Sequence, residues 1–132
     1  LTFSQNDIKP KLNAFFQFTS WRKDMENVYA GLDIVALTSK NEGTPVTLIE
    51  AQASSRPVIS TNVGGVSDIL IPDVSGYISP RNDVDIYSQN LLKLIQNDQE
   101  RIIMGREGCK FVNIHFSYKR LVSDVKNLYK SL

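Results

Sequence analysis

Cysteine is nearly absent. The single thiol, Cys109, can close no internal disulfide, and no Cys/His cluster with metal-ligand spacing accompanies it. A reducing, cytoplasmic setting fits such a chain best. No apolar run approaches the roughly 18 residues of a transmembrane helix. A surplus of charge is missing as well: 15 Lys plus Arg against 14 Asp plus Glu leave +1. That excludes capture of nucleic acid or an anionic membrane by a general field, so any anion must be held locally. No Gly-x-Gly-x-x-Gly follows a strand and no Walker-type loop occurs, which disfavours a dehydrogenase and a P-loop enzyme.

What is present is an ordinary globular composition, 42% hydrophobic and 22% charged, which argues for a packed core. The length, 132 residues, fits one domain and falls short of a two-domain enzyme. Leu1 opens neither a signal peptide nor a natural start, the expected mark of a chain cut from something longer. Three stretches organise the domain: a poorly defined lead-in over residues 1–12, a β/α core over 13–80 and C-terminal helices over 81–132.

Short apolar runs alternate with amphipathic stretches, the pattern of βαβ units with a parallel sheet. Ala14, Phe15, Phe16 and Phe18 read as a short strand, and Asp24 to Ala30 as a helix ended by Gly31. Ile34 to Leu37 is a continuous apolar run, expected as a central strand covered on both faces. Pro45 suits a first helical turn and Thr44 its N-cap, with the helix running to about Ser55. Val58 to Ser60 and Tyr77 with Ile78 read as further strands, with Gly64 and Gly65 in a turn between them. Helices are expected from Asp83, with Val84, Tyr87, Leu91 and Ile95 on one face, and over about Gln99 to Phe111. A last helix begins near Ser117, with Tyr118, Leu121, Val122, Val125, Leu128 and Tyr129 on a stripe that must bury against something.

Chemistry concentrates in Thr38-Ser-Lys-Asn-Glu-Gly-Thr-Pro-Val-Thr-Leu-Ile-Glu50. This strand end, loop and helix start lies where a parallel sheet opens its ligand crevice. The helix start offers unpaired N–H groups to phosphate or sugar oxygens. Helical side chains tilt toward the N-terminus, so the Glu50 carboxylate can reach back to the loop mouth and accept from two ribose hydroxyls. Glu42 could meet the other end of the same ligand, with Gly43 admitting close backbone approach. Taken singly, each glutamate is more simply a solvated charge. Their joint placement at one junction favours the functional reading.

Those residues resemble the signature of retaining nucleotide-sugar glycosyltransferases of the GT-B fold, family 4 (group 1) in particular. The resemblance runs from Phe16 to Pro80. It comprises Phe-Gln-Phe-Thr-Ser-Trp-Arg-Lys-Asp, Leu-Asp-Ile-Val-Ala-Leu-Thr-Ser-Lys-Asn-Glu-Gly-Thr-Pro, Ile-Glu-Ala, Arg-Pro-Val-Ile-Ser-Thr-Asn-Val-Gly-Gly-Val and Gly-Tyr-Ile-Ser-Pro, in order. It implies a Rossmann-like parallel sheet with flanking helices, the incomplete C-terminal half of a GT-B enzyme. It further implies Glu50 on the ribose hydroxyls and Glu42 as the catalytic-site residue at the donor sugar. Backbone of Gly43, Thr44, Pro45 and Val46 would meet sugar and diphosphate, and Trp21 and Arg22 would lie near the nucleobase. The implied reaction moves a sugar from a nucleoside diphosphate to an acceptor hydroxyl with retention. The donor is a substrate, and no cofactor or metal is called for.

The family pattern includes two preceding βαβ units with a Gly-containing loop and the Arg and Lys that neutralise the diphosphate, and an N-terminal acceptor domain. None is present, so a gap is expected in a 3-2-1-4-5-6 sheet between the strand at Ala14 and that at Ile34. The fragment alone is expected to be inactive. Many members build surface polysaccharide at the inner membrane face, so the resemblance also allows peripheral membrane contact of the full enzyme. The rival reading is a non-catalytic α/β module that binds a nucleotide or a partner protein in the same crevice. His115 and Cys109 read as structural rather than catalytic.

Overall fold

The computed structural model describes residues 17–132, so most of the strand expected at Ala14 to Phe18 lies outside it. Residues 17–20 carry no regular structure, and Phe18 is exposed. Among the described residues three parallel strands form the sheet: β1 (Val35–Leu37), β2 (Val58–Thr61) and β3 (Gly76–Ser79), paired in that order. Val35 stands opposite Val58, and Ile59 opposite Tyr77. Parallel neighbours need a crossover. Helix α2 (Val46–Ala53) supplies it between β1 and β2, and a segment holding the short 3-10 helix Gly64–Asp68 supplies it between β2 and β3.

One expectation is corrected here. The run ending at Leu37 is not central among the described residues; β2 is. With one strand neighbour, β1 leaves Ala36 exposed, whereas Val58, Ile59 and Ser60 are fully buried. Alternation along β2 divides the interior in two. Val58 joins Leu48, Ala51, Val66 and Ile69 beneath α2. Ile59 joins Tyr77, Leu94 and Met104 beneath α3 (Val84–Gln96) and α4 (Asp98–His115). Helices α2 and α3 therefore cover opposite faces of the sheet.

Capping sets where these helices start. The Asp83 carboxylate accepts the Ile86 N–H at 2.9 Å, and the Asn97 side chain accepts the Glu100 N–H at 3.0 Å. The buried face of α3 is Tyr87, Leu91 and Leu94; Val84 and Ile95, expected on that face, are exposed. Helix α4 packs along α2, and the close approach is set by glycine. A Cβ on Gly105 would stand 2.1 Å from the Ser55 carbonyl oxygen, and one on Gly108 would stand 3.0 Å from the Gln52 side chain. The short helix α1 (Met25–Ala30) lies against α2 and buries Tyr29.

Helix α5 (Tyr118–Ser131) starts where expected, with the Ser117 hydroxyl accepting the Arg120 N–H at 3.4 Å. Its stripe from Tyr118 to Tyr129 is 43% to 74% exposed, and nothing among the described residues covers it.

Candidate functional site

Three strand ends and the starts of α2 and α3 meet at the carboxyl edge of the sheet. The helix start at Pro45 departs from the expected cap. Pro45 itself takes the cap position with φ −74° and ψ 96°, and no side chain caps the helix, so Thr44 is not the N-cap. Pro45 itself keeps the extended backbone of a cap residue, which delays the first helical residue to Val46. Leu48 N–H bonds the Pro45 carbonyl at 3.1 Å, so the open donors lie ahead of it, at Val46 and Thr47. Gly43, Thr44 and Val46 are exposed while Pro45 is buried. The loop is thus exposed on both sides of a buried proline.

Glu50 projects from α2 into a groove between α1 and α2 lined by Met25, Glu26, Tyr29, Ala53 and Ser54. Its Oε2 accepts the Tyr29 hydroxyl at 3.1 Å. Burial first, and then the Glu50 carboxylate, push the Tyr29 phenol above its ordinary pKa, so it stays a protonated donor. One carboxylate oxygen is oriented by this bond while Glu50 itself remains exposed. Tyr29 escaped the sequence reading because nothing local links it to a residue 21 positions away.

Glu42 is half-buried, and its main chain is fixed by the Gly64–Gly65 turn. Gly64 has φ +52°, and a Cβ there would fall 1.7 Å from the Glu42 carbonyl oxygen. Gly65 N–H donates to the Gly43 carbonyl at 2.9 Å, and a Cβ on Gly65 would stand 2.7 Å from that oxygen. These glycines are more than a turn: only residues without side chains let this loop press on the backbone beneath Glu42. The groove that holds Glu50 does not take in Glu42. Along the chain, the start of α2 lies between them.

Trp21 is 87% exposed just before α1. Arg22 forks onto Asp24, with Nε to Oδ1 at 2.9 Å and Nη2 to Oδ2 at 2.5 Å. That hydrogen bonding holds the Asp24 carboxyl below its usual pKa range. The sequence does contain one Asp-x-Asp pair, Asp83 and Asp85, but Asp83 is the cap of α3. No group of three or more His, Cys, Asp or Glu side chains that could hold a metal occurs among the described residues. No helix described is long and apolar enough to cross a membrane.

A parallel sheet with helices on both faces makes this an α/β domain, with the fold found in GT-B glycosyltransferases. The chain belongs to the family described as glycosyl transferases group 1, whose model matches residues 7–111. It is 32% identical over 98 residues to an uncharacterised glycosyltransferase of Methanocaldococcus jannaschii, a match covering 74% of this chain and 28% of that protein. It resembles the C-terminal domain of the group 1 glycosyl transferase LpcC from Francisella tularensis at TM-score 0.68 and 26% identity, covering 78% of this chain and 53% of that one. Anabaena HepE in complex with UDP-glucose shares the fold at TM-score 0.77 and 19% identity, covering 85% of this chain and 31% of HepE. The chain spans about a quarter of the length of the curated relatives it matches.

Proposed function

We propose that this chain is the donor-binding part of a retaining, family 4 glycosyltransferase that moves a sugar from a nucleoside diphosphate to an acceptor hydroxyl. The observation that carries the reading is the Glu50 carboxylate, held by the Tyr29 hydroxyl one turn and a half beyond an uncapped, exposed helix start. A two-oxygen acceptor so oriented suits the paired hydroxyls of a ribose. The open amides at Val46 and Thr47 and the positive end of α2 suit the diphosphate that departs during transfer. In this reading Glu42, on the loop just before them, meets the donor sugar, and Trp21 and Arg22 the base. That HepE, which shares the fold, holds UDP-glucose supports a donor of that class.

In this reading the donor is a substrate and no metal is used. An acceptor-binding partner domain belongs to the scheme, as does a cytoplasmic site of action with peripheral membrane contact. The test is calorimetric titration of UDP and UDP-glucose into the wild type, Glu50→Ala and Glu42→Ala, with transfer rates measured on the full-length protein. Glu50→Ala is expected to weaken UDP itself by about tenfold or more. Glu42→Ala is expected to depress transfer far more than UDP affinity. Unchanged UDP binding in Glu50→Ala removes that residue from the site.

A further inference from the structure

The groove beside Glu50 is charged in one sense only. Its charged lining groups are two glutamates, Glu50 on α2 and Glu26 on α1, and no cation lines it. Glu26 precedes Tyr29 by one helical turn, which puts both side chains on the groove side of α1. The Tyr29 hydroxyl is spent on Glu50 at 3.1 Å, and the Arg22 fork is spent on Asp24. Glu26 is exposed and has no ion-pair partner among the described residues. It falls between the motif ending at Asp24 and the one opening at Leu32, so the family resemblance gives it no role.

We propose that Glu26 selects the base of the nucleotide donor, favouring a base with a ring N–H (uracil or guanine) over one with a bare ring nitrogen (cytosine or adenine). The inference rests on the donor reading and adds a specificity-determining residue to it. A nucleotide has a fixed covalent order, phosphate, then ribose, then base. Two carboxylates without a cation repel the diphosphate, which is left to the open amides at Val46 and Thr47. With the ribose at Glu50, the base extends away from the helix start into the rest of the groove, where Glu26 is the remaining charged group. An ionised carboxylate only accepts hydrogen bonds. Uracil offers it N3–H, and guanine offers N1–H together with the 2-amino group. Cytosine and adenine hold a lone pair at the corresponding ring nitrogen, which a carboxylate oxygen repels, and their amino group recovers part of the loss. Because Glu26 is exposed, water competes for the contact, so the preference is about tenfold rather than the far larger factor of a sealed site.

The test is calorimetric titration of UDP, GDP, CDP and ADP into the full-length wild type, Glu26→Ala, Glu26→Gln and Glu50→Ala. In the wild type, UDP or GDP is expected to bind about tenfold more tightly than CDP and ADP, and the tighter of the two identifies the base. Blocking the ring N–H of that nucleotide with a methyl group, as in 3-methyl-UDP or 1-methyl-GDP, should abolish the advantage. Glu26→Ala should bring the preferred nucleotide to within about twofold of CDP and ADP. Glu26→Gln keeps the side-chain volume and can donate as well as accept, so it should narrow the gap by strengthening CDP. Glu50→Ala should weaken every nucleotide by a similar factor and keep the preference. Melting temperatures establish that each variant is folded. The inference alone is overturned if the wild type binds CDP and ADP as tightly as UDP and GDP, if methylation changes nothing, or if Glu26→Ala keeps the full preference or weakens every nucleotide equally. A wild type that binds no nucleotide, or unchanged UDP binding in Glu50→Ala, overturns the donor reading and this inference with it.

Discussion

Replacing Gly64 with alanine adds one methyl group, yet it should disable the site from 22 residues away. The added Cβ would lie 1.7 Å from the Glu42 carbonyl oxygen, where ordinary contact begins near 3.4 Å, so the two backbones must part. The backbone φ of +52° adds about 1–2 kcal/mol of left-handed strain for any side-chain-bearing residue. Relief moves either the Gly64 turn or the loop carrying Glu42 and Gly43, by roughly the missing distance. Misplacing a reacting group by 1 Å can cost about 10²-fold in rate. Gly64→Ala is therefore expected to lower transfer by the full-length protein about a hundredfold, with a smaller loss of UDP affinity because Glu50 lies on α2. Gly31→Ala is the control: its Cβ would meet nothing nearer than 3.6 Å, at a φ of −90°. Initial rates, UDP calorimetry and thermal melts distinguish the outcomes. Wild-type kinetics in a folded Gly64→Ala protein, or equal losses in both variants, would refute the idea that this turn positions Glu42.

Tyr29→Phe removes the hydroxyl that orients Glu50, worth about 0.5–1.5 kcal/mol, and should weaken UDP several-fold by calorimetry. Leu94→Ala empties a fully buried position in the α3 core and should cost about 2–5 kcal/mol in urea unfolding, leaving UDP affinity of the folded protein unchanged. Burial pushes the Tyr87 phenol up to about 12; burial, followed by the bond to Glu100, does the same for Tyr77. Above pH 10 the unfolded chain releases protons that these two phenols keep when folded. Their contribution to stability is complete below pH 10 and is lost as pH rises toward 12, measurable by melting temperature together with tyrosinate absorbance.

Much of this architecture was legible because burial writes itself into spacing. The apolar runs ending at Leu37 and Ser60 are strands, the stretch after Asp83 is a helix, and the loop from Thr38 to Pro45 falls at the carboxyl edge. What was not legible depends on contacts between distant positions. The placing of β1 at the edge of the described sheet turns on neighbours, not on its own apolar run. Gly105 and Gly108 read as helix-weakening residues in isolation, and only the approach of α2 explains them. The Tyr29 bond to Glu50 and the seat of Gly64 on Glu42 each span more than twenty residues. The Thr44 cap failed for a local reason, since Pro45 delays the first helical residue. The stripe of α5 was read correctly as an amphipathic face, yet its cover is not found among the described residues.

The central claim is that Glu50 grips ribose hydroxyls, and comparing UDP with 2′-deoxy-UDP tests it most directly. In the wild type, UDP should bind about tenfold more tightly than its deoxy analogue, because the analogue leaves the carboxylate short of a donor. In Glu50→Ala that preference should vanish, with both nucleotides bound equally weakly. An undiminished preference in Glu50→Ala would contradict the account.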